Sequence, residues 1–173
     1  MNLNEKLLQR IASNVQIFRG IPRQCSINVL AGAEKWEVAA GKLFFSEGDS
    51  GSAFFILVSG EAVVEKSQQE VKVVLANLSP GDCFGEMALL NPNSRSASVR
   101  AVKDCLALSI SKQKMEAFPE AAAFIYRNMA KTLAIRLQKA GTMVSDLTLA
   151  LTETESNQAA SAEKNPTKNS GMY

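Results

Sequence analysis

Between Gly41 and Gly85 the chain places six of its ten glycines, each at the edge of a short segment rich in β-branched and aromatic residues. Glycine makes turns of positive φ without steric cost, so this spacing cuts the region into strands too short for anything but an antiparallel roll or barrel. The segments are Lys35 to Ala39, Lys42 to Phe45, Ala53 to Ser59, Glu61 to Lys66, Val71 to Asn77, Asp82 to Phe84, Ser96 to Ala101 and Asp104 to Ile110. The expected fold is mainly β with flanking helices: an eight-stranded antiparallel, jelly-roll-like β-roll over residues 35–118.

The flanks read as helix. Leu3, Leu7, Leu8, Ile11 and Val15 recur at helical spacing, which predicts one amphipathic helix from Met1 to about Arg19, broken at Gly20-Ile21-Pro22 and followed by a shorter one over Cys25 to Gly32. These form an N-terminal helical segment, residues 1–34. From Pro119 the steps between Ala123, Tyr126, Ala130, Leu133, Leu137, Ala140, Val144, Leu147 and Leu151 alternate three and four. That is a heptad seam, and it predicts a long C-terminal dimerisation helix over 119–152. At about 32 residues it would be about 48 Å long and outrun a domain of this size. A homodimer through Tyr126, Ala130, Leu133, Leu137, Ala140, Val144, Leu147 and Leu151 is the expectation, with Phe124, Ile125, Met129 and Ile135 packing on the roll and Gly141 loosening the helix locally. The polar stretch 153–173 lacks large apolar side chains to repay its ordering entropy and reads as a disordered tail.

Composition removes several functions. The chain has no histidine, which excludes His-dependent triads, imidazole proton shuttles and His-ligated zinc. Its net charge of +2, without a cluster of basic residues, gives little of the electrostatic term that drives nucleic-acid binding. The longest apolar run, Ala53 to Val58, is six residues against the ~20 of a membrane span, and no export signal opens the chain. The odd count of three cysteines fits reduced thiols. The expected location is cytoplasmic, with no membrane, nucleic-acid or metal partner.

The chemistry concentrates in Phe84-Gly85-Glu86-Met87-Ala88-Leu89-Leu90, followed by Arg95-Ser96-Ala97. A helix beginning after Gly85 presents backbone N–H groups to an anion. Arg95, nine residues after Glu86, can donate two hydrogen bonds to phosphate oxygens. A carboxylate beside a phosphate makes sense where it accepts from a neutral hydroxyl, as a ribose 2′-OH offers. Taken alone, Glu86 and Arg95 also fit a surface ion pair worth ~0–1 kcal/mol.

This segment resembles the phosphate-binding cassette of cyclic nucleotide-binding domains, F-G-E-x-A-L followed by R-[S/T/A]-A, here F-G-E-M-A-L and R-S-A. Ile17 to Pro22, Gly41 to Asp49, Phe55 to Gly60 and Leu78 to Glu86 are similar to the family's other motifs, so the resemblance spans Ile17 to Phe118. It implies that Glu86 binds the ribose 2′-hydroxyl and Arg95 the cyclic phosphate. Backbone N–H groups of Gly85, Ala88 and Ser96 assist, the Ser96 hydroxyl lies near phosphate or base, and Phe84, Met87 and Ala97 complete the binding segment. The long helix resembles the dimer helix of catabolite-activator-type members, which places Arg136 near the base, while Ala140 and Gly141 stand where those members carry two hydroxyls. In the family, Ser or Thr directly after the arginine occurs in bacterial cAMP receptors and, as Thr, in cGMP-dependent kinases, so Ser96 does not decide the base, and the bacterial-looking context favours cAMP.

The function this implies is a non-catalytic cyclic-nucleotide sensor needing no cofactor, with cAMP as ligand and cGMP as the alternative, signalling through the C-terminal helix to an unidentified protein. A truncated or atypical catabolite-activator-type regulator is the runner-up. The 22 residues after Leu151 show no helix-turn-helix pattern, and the chain is expected to be a stand-alone sensor.

Overall fold

The structure, a computed structural model, describes residues 5–68, 71–90 and 94–163. In chain order it contains α1 (Glu5–Asn14), a 3₁₀ turn (Gln16–Phe18), α2 (Arg23–Ala31), β1 (Glu34–Val38), β2 (Leu43–Phe45), β3 (Ala53–Ser59), β4 (Ala62–Gln68), β5 (Val71–Leu78), β6 (Cys83–Phe84), α3 (Met87–Leu90), β7 (Ser98–Ala101), β8 (Cys105–Ser111), α4 (Lys112–Glu116) and α5 (Pro119–Glu163). The chain forms two compact units, residues 1–130 and 131–173.

In the first unit the strands make two four-stranded sheets, β1-β8-β3-β6 and β2-β7-β4-β5. Every strand pairing among the described residues is antiparallel. This is the expected eight-stranded β-roll with flanking helices, with strand limits within about two residues of those read from the glycines. Strand β7 begins at Ser98 rather than Ser96, because the preceding backbone turns aside: the Arg95 N–H donates to the Asp49 carbonyl at 2.8 Å.

The apolar run in β3 is explained by burial on both faces. Phe55 and Leu57 enter the interior of the roll with Phe44, Phe84, Val99 and Ala107. Phe54 and Ile56 face the other way and join Leu8, Ile11, Phe18, Leu30, Ile125 and Met129 from the helices. Each of the larger side chains among these contributes about 1.5–3 kcal/mol on burial. The N-terminal helices therefore share a core with the roll and with the first turns of α5. The boundaries drawn at residues 34 and 118 cut through that core.

The N-terminal helix is shorter than its periodicity suggests. It ends at Asn14, Val15 is extended, and Ile17 and Phe18 are buried in a 3₁₀ turn. Burial of these two side chains overrides continuation of the helix; Leu3 lies outside the described residues. Tyr126 packs against the core and its hydroxyl donates to Glu116 Oε1 at 2.8 Å, so this seam position is partnered within its own chain. Ile125 and Met129 are buried as expected, whereas Ile135 is 56% exposed.

In the second unit α5 continues without interruption through Gly141 and on to Glu163, past the expected end at 152. The apolar seam stops at Leu151, but alanine, glutamate and glutamine are strong helix formers and no proline intervenes before Pro166. The rest of the expected tail, 164–173, lies outside the described residues. Leu137, Val144, Leu147 and Leu151 are exposed, Leu137 by 74%. Among the described residues no helix is long and apolar enough to cross a membrane.

Candidate functional site

Strand β6 pairs with β3 through Phe84 opposite Phe55, and the two rings stack at 5.2 Å. This fixes the start of the cassette. Gly85 follows with φ at 74°, a left-handed conformation that only glycine adopts without strain, and it turns the chain into α3. Ala88 and Leu89 are buried, anchoring α3, while Met87 is exposed. Asn91, Pro92 and Asn93 lie outside the described residues. Beyond them the Ser96 hydroxyl donates to Met87 Sδ at 3.2 Å, tying the two halves of the cassette together.

Glu86 and Arg95 are only 4% and 6% exposed, so they do not form the surface ion pair that the residues alone allowed. The side chain of Arg95 runs inward. Its Nη1 donates to the carbonyls of Ala53 at 2.8 Å and Gly85 at 2.7 Å, and its guanidinium carbon lies 4.1 Å from the ring centroid of Phe45 and 5.5 Å from that of Phe55. The Arg95 Nε is buried and, among the described residues, has no hydrogen-bond partner. Burial pushes the guanidinium toward losing its proton, and the charges of Asp49 and Glu86 pull the other way. An arginine keeps its proton under such opposing influences, so a cation with an unused donor sits beside a carboxylate in a largely apolar setting.

The loop between β2 and β3 closes over this arrangement. The Gly48 N–H donates to the Arg95 carbonyl at 2.9 Å, reciprocating the bond from the Arg95 N–H to Asp49. The Asp49 carboxylate caps the Ser46 N–H at 2.7 Å, and the Glu47 N–H donates to Ser98 Oγ at 2.9 Å. A backbone so tied holds the guanidinium in one place, as anion recognition requires.

The structure thus brings Phe84, Gly85, Glu86, Met87, Ala88, Arg95, Ser96 and Ala97 onto one connected segment. Arg136 lies on α5 within the second unit and is partly exposed. Sequence reasoning read Phe45, Asp49 and Gly51 as strand, motif and turn residues and did not place them at the site. Phe45 stood among strand residues, and nothing local marks a phenylalanine that faces a cation 50 positions away.

The family model described as "Cyclic nucleotide-binding domain" matches residues 35–121. The chain belongs to that family. Among its relatives, the Pycsar effector protein XpPycTIR of Xanthomonas perforans is 34% identical over 118 residues, which is 68% of this chain and 38% of that protein. The cyclic AMP receptor protein of Thermus thermophilus is 37% identical over 103 residues, 58% of this chain and 47% of the receptor. The chain therefore spans half or less of the length of these relatives. Among solved structures, the Thermus thermophilus catabolite activator protein superposes with a TM-score of 0.67 at 31% identity, covering 80% of this chain and 63% of that one. The regulatory domain of Toxoplasma gondii PKA with cAMP gives 0.65 at 28%, covering 73% and 50%. As a cyclic nucleotide-binding domain, the roll carries its cassette in the place the β6-to-β7 connection provides.

Proposed function

We propose that this protein senses a cyclic nucleotide, with cAMP as its ligand, and acts without catalysis or cofactor. The observation that carries the reading is the Arg95 Nε, buried beside Glu86 with no partner among the described residues. A buried donor left unmade costs about 1–3 kcal/mol, and a phosphate oxygen recovers that cost as a charge-assisted bond. Arg95 then holds the cyclic phosphate, and Glu86 accepts from the ribose 2′-hydroxyl. The names of the Thermus receptor and the Toxoplasma complex support adenine over guanine.

Output runs through α5 in the cytoplasm. Its exposed seam, Leu137, Val144, Leu147 and Leu151, pairs with the same face of a second copy, and ligand-dependent movement of the helix is read by a protein partner. Such movement needs a difference in ligand affinity between two states. Calorimetric titration with cAMP, cGMP and a cyclic dinucleotide, followed by hydrogen exchange along α5 with and without saturating ligand, tests the reading. The expected result is saturable binding, tightest for cAMP, with altered protection in α5. Tighter binding of cGMP overturns the base assignment. Absence of binding to all three overturns the function, and unchanged protection overturns the switching.

A further inference from the structure

Six glycines punctuate the roll from Gly41 to Gly85, and five of them adopt φ between 74° and 98°. Gly51 does not, so backbone conformation gives no reason for glycine there. Space does. A Cβ built on Gly51 would lie 2.4 Å from Arg95 Nε, 2.5 Å from Cζ and 2.7 Å from Nη2. All three atoms belong to the far end of a flexible side chain, so an added methyl is accommodated by moving the guanidinium rather than the backbone. On the guanidinium's other side is Phe45, its ring centroid 4.1 Å from the guanidinium carbon. The carbonyls of Ala53 and Gly85 fix Nη1. The guanidinium is thus held between a ring, two carbonyls and the bare backbone of Gly51.

We propose that Gly51 and Phe45 are positioning residues for anion capture: they set the place at which Arg95 presents its free Nε to the phosphate of the ligand. The assignment rests on Arg95 being the phosphate donor. Gly51 acts by clearance and Phe45 by attraction between its π face and the cation, a contribution that grows as the pair is desolvated. Displacing a donor by about 1 Å forfeits much of a hydrogen bond whose geometry is steep in distance and angle.

The test is a double-mutant cycle on the full chain, read by NMR titration with cAMP, which reaches millimolar constants. Gly51→Ala and Phe45→Leu are each expected to weaken cAMP binding about tenfold or more while the urea midpoint of Gly51→Ala stays near that of the parent. In an Arg95→Leu background, Gly51→Ala is expected to change affinity no further, because there is no guanidinium left to displace. The Arg95 Nε–Hε resonance supplies a readout independent of ligand: both single variants are expected to shift it, Phe45→Leu by removing the ring and Gly51→Ala by moving the guanidinium relative to it. Parental affinity in Gly51→Ala overturns the inference, as does an equal loss with and without Arg95. If the parent protein binds no cyclic nucleotide, the ligand reading fails with it. If the parent binds through Arg95 and Gly51→Ala is silent, only the positioning role fails.

Discussion

The side-chain amide of Asn128, on α5, donates to the carbonyl of Ile17 at 3.0 Å, across 111 positions of sequence. The same nitrogen donates to the Arg19 carbonyl at 2.8 Å. Asn128 is buried, as are Ile17, Phe18 and Ile21 beside it. A buried amide joined to two carbonyls of a 3₁₀ turn and its exit fixes the N-terminal segment to α5 with a direction that apolar contact alone does not supply.

Asn128→Ala removes this donor from both carbonyls. The expected loss is about 1–3 kcal/mol of folding stability, measured by urea unfolding, with faster hydrogen exchange around residues 17–21. A loss below about 0.5 kcal/mol would show that the carbonyls find other partners at little cost.

Glu65 is buried on β4, and Arg100 grips it from β7: Nε lies 3.1 Å from each carboxylate oxygen and Nη2 2.6 Å from Oε2. The hydrogen bond from Arg100 holds the carboxyl below its ordinary value of 4.5, against the upward push of burial. A depressed folded-state value contributes stability that is present above the unfolded value and lost as pH falls through the folded one. Arg100→Met leaves the buried carboxylate with only the exposed Lys72, whose Nζ lies 3.5 Å from Oε1, so its destabilisation is expected to be largest at neutral pH and to shrink below pH 4.5, where the carboxyl takes up a proton. Urea unfolding of both proteins across this range checks it; a deficit independent of pH would contradict it.

Tyr126 behaves oppositely. Burial, together with the hydrogen bond to Glu116, pushes its phenol from the ordinary 10.0 up to about 12. A raised value contributes stability fully present below 10.0 and lost as pH rises toward about 12. Tyr126→Phe cannot ionise, so the stability difference between parent and variant is expected to narrow or reverse over that interval, measured by alkaline unfolding. A constant difference would place the phenolate outside the folding equilibrium.

The roll was legible because glycine punctuation and β-rich runs act locally. Five of the six glycines are turns, as their neighbours implied. The sixth, Gly51, serves an arginine 44 positions away, and no local pattern encodes that clearance. Glu86 and Arg95 were visible as a motif, whereas their burial and the ring of Phe45 depend on how β2, β3 and β6 meet. Helix α4 was missed because five residues hold little more than one turn of periodicity; its one signal is Ser111, whose hydroxyl accepts from the Lys114 N–H. The end of α5 was set too early because the apolar seam and the helix-forming sequence stop at different places.

The proposed dimer stands on the exposed seam. Leu137→Glu with Leu147→Glu sets like charges against each other at the heart of a parallel pairing and is expected to give monomers by light scattering where the parent gives dimers. Retention of the dimer would move the interface elsewhere, and a monomeric parent at high micromolar concentration would remove it.

The most direct test of the central claim is calorimetric titration of cAMP into Arg95→Leu beside the parent. Leucine in place of Arg95 leaves the carbonyls of Ala53 and Gly85 without their Nη1 donor and the buried Glu86 without the neighbouring cation, so folding stability is expected to fall, and the titration is read on protein shown to be folded by its urea transition. Affinity is expected to fall on the order of a hundredfold or more, because the phosphate loses its donor. A folded Arg95→Leu protein that binds cAMP as tightly as the parent would contradict the account.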